Sequence, residues 1–177
     1  MSQTLNASTL LAVPLAPLAG AVLAECRFTI ATPQARYIHP RVGYAFAPPA
    51  GWTIDDSGPD DGVRLRAPDG AGLIEIQTGP ASVPLDPVSY AAGWQSVAVG
   101  PGKRVEALRA SRRILVDGRP AFEGVYAGAN VLMKIVFVAT ADRMYVITGV
   151  FEASQFGAGQ TLFDAWIASL RVSPASD

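Results

Sequence analysis

Two segments, Val131 to Thr140 and Met144 to Phe151, are predominantly apolar on both faces, and only Ala141-Asp142 breaks the run between them. Strands of that kind have no face to offer water, so they belong in the centre of a sheet with a layer over each side. A turn this short makes them antiparallel neighbours. The chain must therefore supply two coverings. Asp86 can cap a helix with Pro87 in its first turn, and Tyr90, Trp94 and Val97 then fall on one face at i, i+4 and i+7. Near the C-terminus Phe156, Phe163, Trp166, Ile167 and Leu170 share a helical stripe, although Gly157 and Gly159 weaken its start.

The remaining strands are marked by turns. Tyr44 and Phe46 alternate with small residues, Pro48-Pro49-Ala50-Gly51 turns the chain, and Trp52 and Ile54 resume the alternation. Val63 to Arg66 and Leu73 to Thr78 flank Ala67-Pro68-Asp69-Gly70, which predicts a hairpin. Val105 to Val116 leads into Asp117-Gly118, a strong two-residue hairpin signal, and Pro120 to Tyr126 returns. No strand–helix–strand repeat occurs. The expected fold is α+β, an antiparallel sheet of about six to seven strands sandwiched by helices.

The front of the chain is a different object. No charged side chain precedes Glu25, and all 14 basic residues lie from Arg27 onward. Leu10 to Ala24 is apolar, yet shorter than the about 20 residues a membrane crossing needs, and Pro14 and Pro17 oppose a helix there. Its length and the small residues that follow suit a secretory signal, although Met1 to Thr9 has no Lys or Arg. Leu23-Ala24-Glu25-Cys26 is similar to a lipobox, with Glu25 departing from the usual small residue, so Cys26 is a candidate lipidation site. The expected organisation is a signal or anchor over 1–26, a linker over 27–41, a domain over 42–173 and a tail over 174–177. His39, beside Pro40, is read as a solvated linker residue.

Gly43-Tyr44-Ala45-Phe46 followed by Pro49-Ala50-Gly51-Trp52 resembles the opening of PsbP-like domains. Val116-Asp117-Gly118-Arg119-Pro120-Ala121-Phe122 resembles their central hairpin, and Tyr145 to Gly149 with Phe163 to Leu170 their last strand and helix. The resemblance implies an α/β/α sandwich used mainly as a non-catalytic binding or assembly module. Family members include an extrinsic photosystem II subunit, a Ran-binding import factor, and bacterial periplasmic proteins or lipoproteins. The front end matches the last group, which implies an exported, periplasmic or membrane-tethered protein. A cytoplasmic one remains the alternative if the first segment is not a signal. The family has no shared catalytic set to carry over.

Composition narrows the chemistry. With 14 Lys+Arg against 15 Asp+Glu there is no excess of positive charge to track phosphates, so no nucleic-acid partner is expected. One Cys and one His exclude a disulfide framework, Cys-cluster metal sites and most zinc or general-base chemistry. Asp55, Asp56, Asp60 and Asp61 are the densest carboxylates, weak candidates for calcium or for a small hydrolase or lipid-processing enzyme; Ser57, Gly58 and Pro59 break the EF-hand register. Gly157-Ala158-Gly159 precedes a helix, but Leu162 stands where a dinucleotide motif needs glycine, and no cofactor is expected. Arg109, Arg112 and Arg113 form the basic concentration, read either as a solvated edge or as a patch for an acidic protein surface or anionic headgroup. Arg112 and Arg113 should point to opposite faces. Trp52, next to a polar loop, is a candidate groove residue. The leading functional expectation is a non-catalytic exported module whose partner is another envelope protein or membrane-associated component. It would touch the membrane only through its N-terminal segment. A carrier of an apolar ligand is a further alternative, and it needs a cavity lined by residues such as Trp94 and Phe163.

Overall fold

The computed structural model describes residues 35–57, 61–81 and 86–172. The expected signal, Cys26, Asp60 and the tail lie outside these residues, as do residues 27–34 of the expected linker. In chain order the strands are β1 (Tyr37–Ile38), β2 (Ala45–Phe46), β3 (Thr53–Asp55), β4 (Val63–Arg66) and β5 (Gly72–Pro80); after α1 (Pro87–Ala98) come β6 (Ala107–Val116), β7 (Arg119–Ala127), β8 (Val131–Ala139) and β9 (Arg143–Glu152), then α2 (Phe156–Ser169). β3 to β9 form a seven-stranded antiparallel sheet in the order β3-β4-β5-β9-β8-β7-β6, and β1 and β2 pair separately. The doubly apolar β9 is the middle strand, with β8 beside it.

The two faces are covered as that position requires. Val136, Val138, Tyr145 and Ile147 pack with Phe163, Trp166, Ile167 and Leu170 beneath α2. Met133, Ile135, Phe137 and Tyr126 pack with Ala91 and Trp94 beneath α1. Alternation along β8 assigns its residues to one layer or the other, which is why the strand must be apolar throughout.

The expected turns form. Gly70 donates its N–H to the Ala67 carbonyl at 3.0 Å. Asp117 and Gly118 both have positive φ, 50° and 73°, as a two-residue hairpin with the right twist demands. Asp86 caps α1 by accepting from the Ser89 N–H at 3.0 Å.

Three expectations are corrected. α1 does not bury a Tyr90, Trp94 and Val97 stripe: Pro87 and Ala91 face inward, Trp94 is half-buried, and Val97 is 72% exposed. The period is right but starts at Pro87, because small Ala91 lets the helix approach the aromatic layer of Tyr126 and Phe137. Gly159 is not a weak point of α2 but a close-packing position, since a Cβ there would lie 2.4 Å from the Phe151 ring. The packed structure also begins before Val42. β1 pairs with β2 in the register Tyr37↔Phe46, and Ala45 bridges to Arg171 beyond α2, so the expected linker contributes a strand.

Candidate binding surface

His39 is buried, not solvated as the linker reading had it. Its ring stacks on Tyr44 with centroids 4.8 Å apart, and its Nδ1 accepts the backbone N–H groups of Arg41 and Val42 at 3.3 and 3.2 Å. An Nδ1 that accepts carries no proton, so the folded imidazole is neutral. Burial holds its pKa below the ordinary value, opposed chiefly by Asp61 and aided by Arg41, with smaller effects from Asp56 and Arg143. The unfolded chain therefore binds this proton more readily. The stability that depends on a neutral His39 is complete above the unfolded value of about 6.5 and is lost as pH falls through and below it. Denaturant midpoints of the wild type should drop on mild acidification, and His39→Asn should flatten that dependence. A wild-type midpoint that ignores pH in this window would contradict the assignment.

The acidic loop does not converge on a common point. Asp55 accepts from the Ser57 hydroxyl at 2.7 Å and from the Ser57 N–H at 3.2 Å, which lowers its pKa. Asp56 accepts from the Tyr37 hydroxyl at 2.8 Å, and burial together with that bond raises the phenol's pKa. Asp61 pairs with Arg41 at 3.1 Å and with Arg143 at 3.0 Å. Among the described residues Asp55, Asp56 and Asp61 each serve a different partner, and these three form neither an acid–base pair nor a shared calcium cradle. Among the described residues no group of three or more His, Cys, Asp or Glu could hold a metal.

A second polar cluster is not announced by the sequence. Lys134, in the middle of β8, is fully buried under α2 and bonds Asp164 of α2 and Glu123 of β7, the latter at 3.0 Å. Arg112 of β6 pairs with the other oxygen of Glu123 at 2.8 Å. The one signal is a lysine inside an otherwise apolar run. The chain of alternating charges runs from Arg112 through Glu123 and Lys134 to Asp164 and ties β6, β7, β8 and α2 together.

A concave apolar surface lies along the outer flank of α2. Pro49 accepts the Trp52 N–H at 3.1 Å across a turn that needs Gly51 at φ 77°, and this places Trp52 at the start of β3. Gly72 leaves room for its indole, since a Cβ there would stand 3.1 Å from the ring. Trp52, Pro68, Phe151 and Leu162 then line a depression of about 280 Å³. A second one of about 250 Å³ is lined by Ala47, Pro49, Leu162, Ala165 and Trp166. Leu162 belongs to both, so they adjoin. Two of their polar side chains are committed elsewhere: Asp69 accepts from the Ala71 N–H at 3.0 Å, and the Ser169 hydroxyl donates to the Trp166 carbonyl at 2.7 Å while accepting from the Ala47 N–H at 3.1 Å. The buried Trp166 indole N–H has no hydrogen-bond partner among the described residues, and the Gln155 amide stands at the border of the first depression. Such a groove can bind chiefly by burying apolar surface.

Trp52, the candidate groove residue, lines the first depression. Trp94 and Phe163, which a carrier's cavity would require, instead fill their layers. Trp94 lies edge-on to Tyr126 and Phe137 at 5.3 and 5.7 Å, and Phe163 is completely buried beside Trp166. Arg109, Arg112 and Arg113 lie on β6, and the strand alternation does send Arg112 and Arg113 to opposite faces: Arg112 reaches Glu123 on the α2 side, whereas Arg113 acts on Asp86 at the start of α1.

The architecture has solved counterparts. The solution structure of cyanobacterial PsbP (CyanoP) from Synechocystis sp. PCC 6803 superposes with a TM-score of 0.60 at 13% identity, covering 82% of this chain and 96% of that one. The fold is PsbP-like. A second match, the protein of unknown function PA94 from Pseudomonas aeruginosa, gives a TM-score of 0.52 at 14% identity, covering 80% of this chain and 98% of that one. No family model and no curated protein matches the sequence. At these identities the PsbP-like likeness concerns backbone architecture, and function has to be argued from the chain's own residues.

Proposed function

We propose that the chain is a non-catalytic binding or assembly module of the bacterial envelope, exported by its apolar front segment and docking apolar side chains of an envelope protein or membrane-associated component along α2. The observation that carries this reading is the pair of adjoining, mainly apolar depressions at Leu162, lined by Trp52, Phe151, Leu162 and Trp166. Burying a partner's apolar side chain against Trp52, Phe151 and Leu162 contributes free energy roughly in proportion to the area removed from water, about 25 cal/mol per Å². Aromatic residues with half-buried rings are favoured anchors at such surfaces. The uncharged run from Leu10 to Ala24 supports export.

Crosslinking in intact native cells followed by mass-spectrometric identification tests both halves. The neighbours should be envelope proteins, and Leu162→Glu should remove the principal one while leaving the melting temperature within a few degrees. A purely cytosolic neighbour set would overturn export. A neighbour set indifferent to Leu162→Glu and Trp52→Ala would overturn the groove.

A further inference from the structure

The sheet ends at β6, and no described strand pairs with its outer edge. β6 runs from Ala107 to Val116, and its residues from Leu108 to Arg113 are all exposed, as is Leu115 at 71%. The opposite edge, β3, has only Thr53–Asp55. The Asp117-Gly118 loop closes on the pair Val116↔Arg119, and the closing pair of a two-residue hairpin exchanges both backbone hydrogen bonds. Counting back from it, Val116, Ile114 and Arg112 turn their N–H and C=O groups toward β7. Leu115, Arg113 and Ser111 turn theirs outward. The register is regular over this stretch, and its shift lies further back, between Leu108 and Ala110.

An open edge of this length is a template for another strand, and natural proteins blunt such edges with proline, bulges or charge. β6 has no proline, and its bulge lies outside the regularly paired stretch from Ser111 to Leu115. What it has is Arg109, Arg112 and Arg113, with no acidic residue within the strand. Two copies of β6 paired edge to edge would bring arginines opposite arginines, which disfavours self-association. Arg112 is already paired with Glu123, so Arg109 and Arg113 are the charges that favour a strand carrying carboxylates. Leu115 and Arg113 share the face toward α1, two residues apart, so a fitting partner places an apolar side chain and a carboxylate at the same spacing on one face.

We propose that the outer edge of β6 is a strand-addition site for an extended acidic segment of a partner protein, paired through the backbone of Ser111, Arg113 and Leu115 and selected by Arg109 and Arg113. This site lies apart from the α2 groove and does not depend on it. Backbone pairing supplies a generic part of the affinity and the alternating side chains supply the selectivity.

The test uses the full chain and a short blocked peptide of repeating Val-Val-Glu-Glu, which sets a valine and a glutamate two residues apart on each face of the strand, with a Val-Val-Lys-Lys peptide as its counterpart. The glutamate peptide should bind and slow amide exchange at Ser111, Arg113 and Leu115, and the lysine peptide should not. Ser111→Pro removes an outward N–H while sparing the bonds to β7, as proline at an exposed edge is tolerated. It should weaken the glutamate peptide by at least about tenfold without lowering the melting temperature. Arg113→Glu, which removes no backbone donor, should reverse the preference between the peptides. Equal binding of both peptides, binding of neither, or protection elsewhere in the chain would overturn the proposal. So would binding to phosphatidylglycerol vesicles without binding to the glutamate peptide, which would assign the arginines to a lipid surface.

Discussion

Glu123→Ala is expected to destabilise the fold by about 3 kcal/mol, because it leaves the fully buried Lys134 ammonium with only the half-exposed Asp164 as a partner. Breaking a buried ion pair from one side costs far more than deleting the pair, since the remaining charge stays out of water without compensation. Lys134→Met should therefore cost much less, about 1 kcal/mol or under. In that variant Glu123 keeps Arg112 at 2.8 Å and Asp164 turns to solvent, while methionine fills the lysine's space. Lys134→Met placed in the Glu123→Ala background should recover most of the loss, a coupling of the size that directly interacting residues show. Denaturant midpoints at constant m-value measure all of these variants. Equal losses for both single variants that simply add in the double would mean that the network is a set of independent surface contacts.

The second large effect reverses the usual sign of a helix substitution. Glycine to alanine inside a helix normally stabilises by about 0.5–1 kcal/mol. At Gly159 the new methyl group would lie 2.4 Å from both Cγ and Cδ1 of Phe151, at the root of a ring that is itself in the core. The ring cannot swing away without displacing the Phe163 layer, because Gly149 already brings Phe163 and Phe151 to 2.6 and 3.0 Å of its own absent Cβ. Gly159→Ala should then cost about 3 kcal/mol, the upper range for overpacking. At Gly157, in the same turn of α2, an added methyl would meet nothing within 4 Å, so Gly157→Ala should stabilise by about 0.5 kcal/mol. Thermal unfolding of the two variants, which share a helix and a chemical change, separates close packing from propensity. Matching shifts would contradict the interlock.

Much of the architecture is local in origin and is therefore legible in the sequence. Asp117-Gly118 specifies its hairpin by positive φ, Asp86 specifies the start of α1 by a side-chain cap, and the doubly apolar β8 and β9 specify a covered central position. The features that escape such a reading depend on residues far apart along the chain. β1 is held by stacking of Tyr37 on Phe46 at 4.9 Å and by a layer that includes the bridge from Ala45 to Arg171, so no local period announces it. For that reason His39 reads as solvated until the fold is known. The Lys134 network joins β6, β7, β8 and α2, and its members individually resemble ordinary surface charges. The inward face of α1 is offset by three residues from the stripe that the large side chains of Tyr90 and Val97 suggest, because the helix sits close to the sheet through Ala91. Trp52 is singled out in the sequence because it lies next to the polar loop. Leu162, which completes the groove, stands out in the sequence only as the residue that spoils a glycine motif.

The groove is the centre of the functional account, and a photoreactive amino acid at Gln155, which borders the first depression, probes it most directly. In living cells that position should crosslink to a specific envelope neighbour, and Leu162→Glu should abolish the product. The same amino acid at Ser96, exposed on α1 across the sheet, should not capture that neighbour. Capture of it equally well from both positions, or a Gln155 product unaffected by Leu162→Glu, would contradict docking along α2.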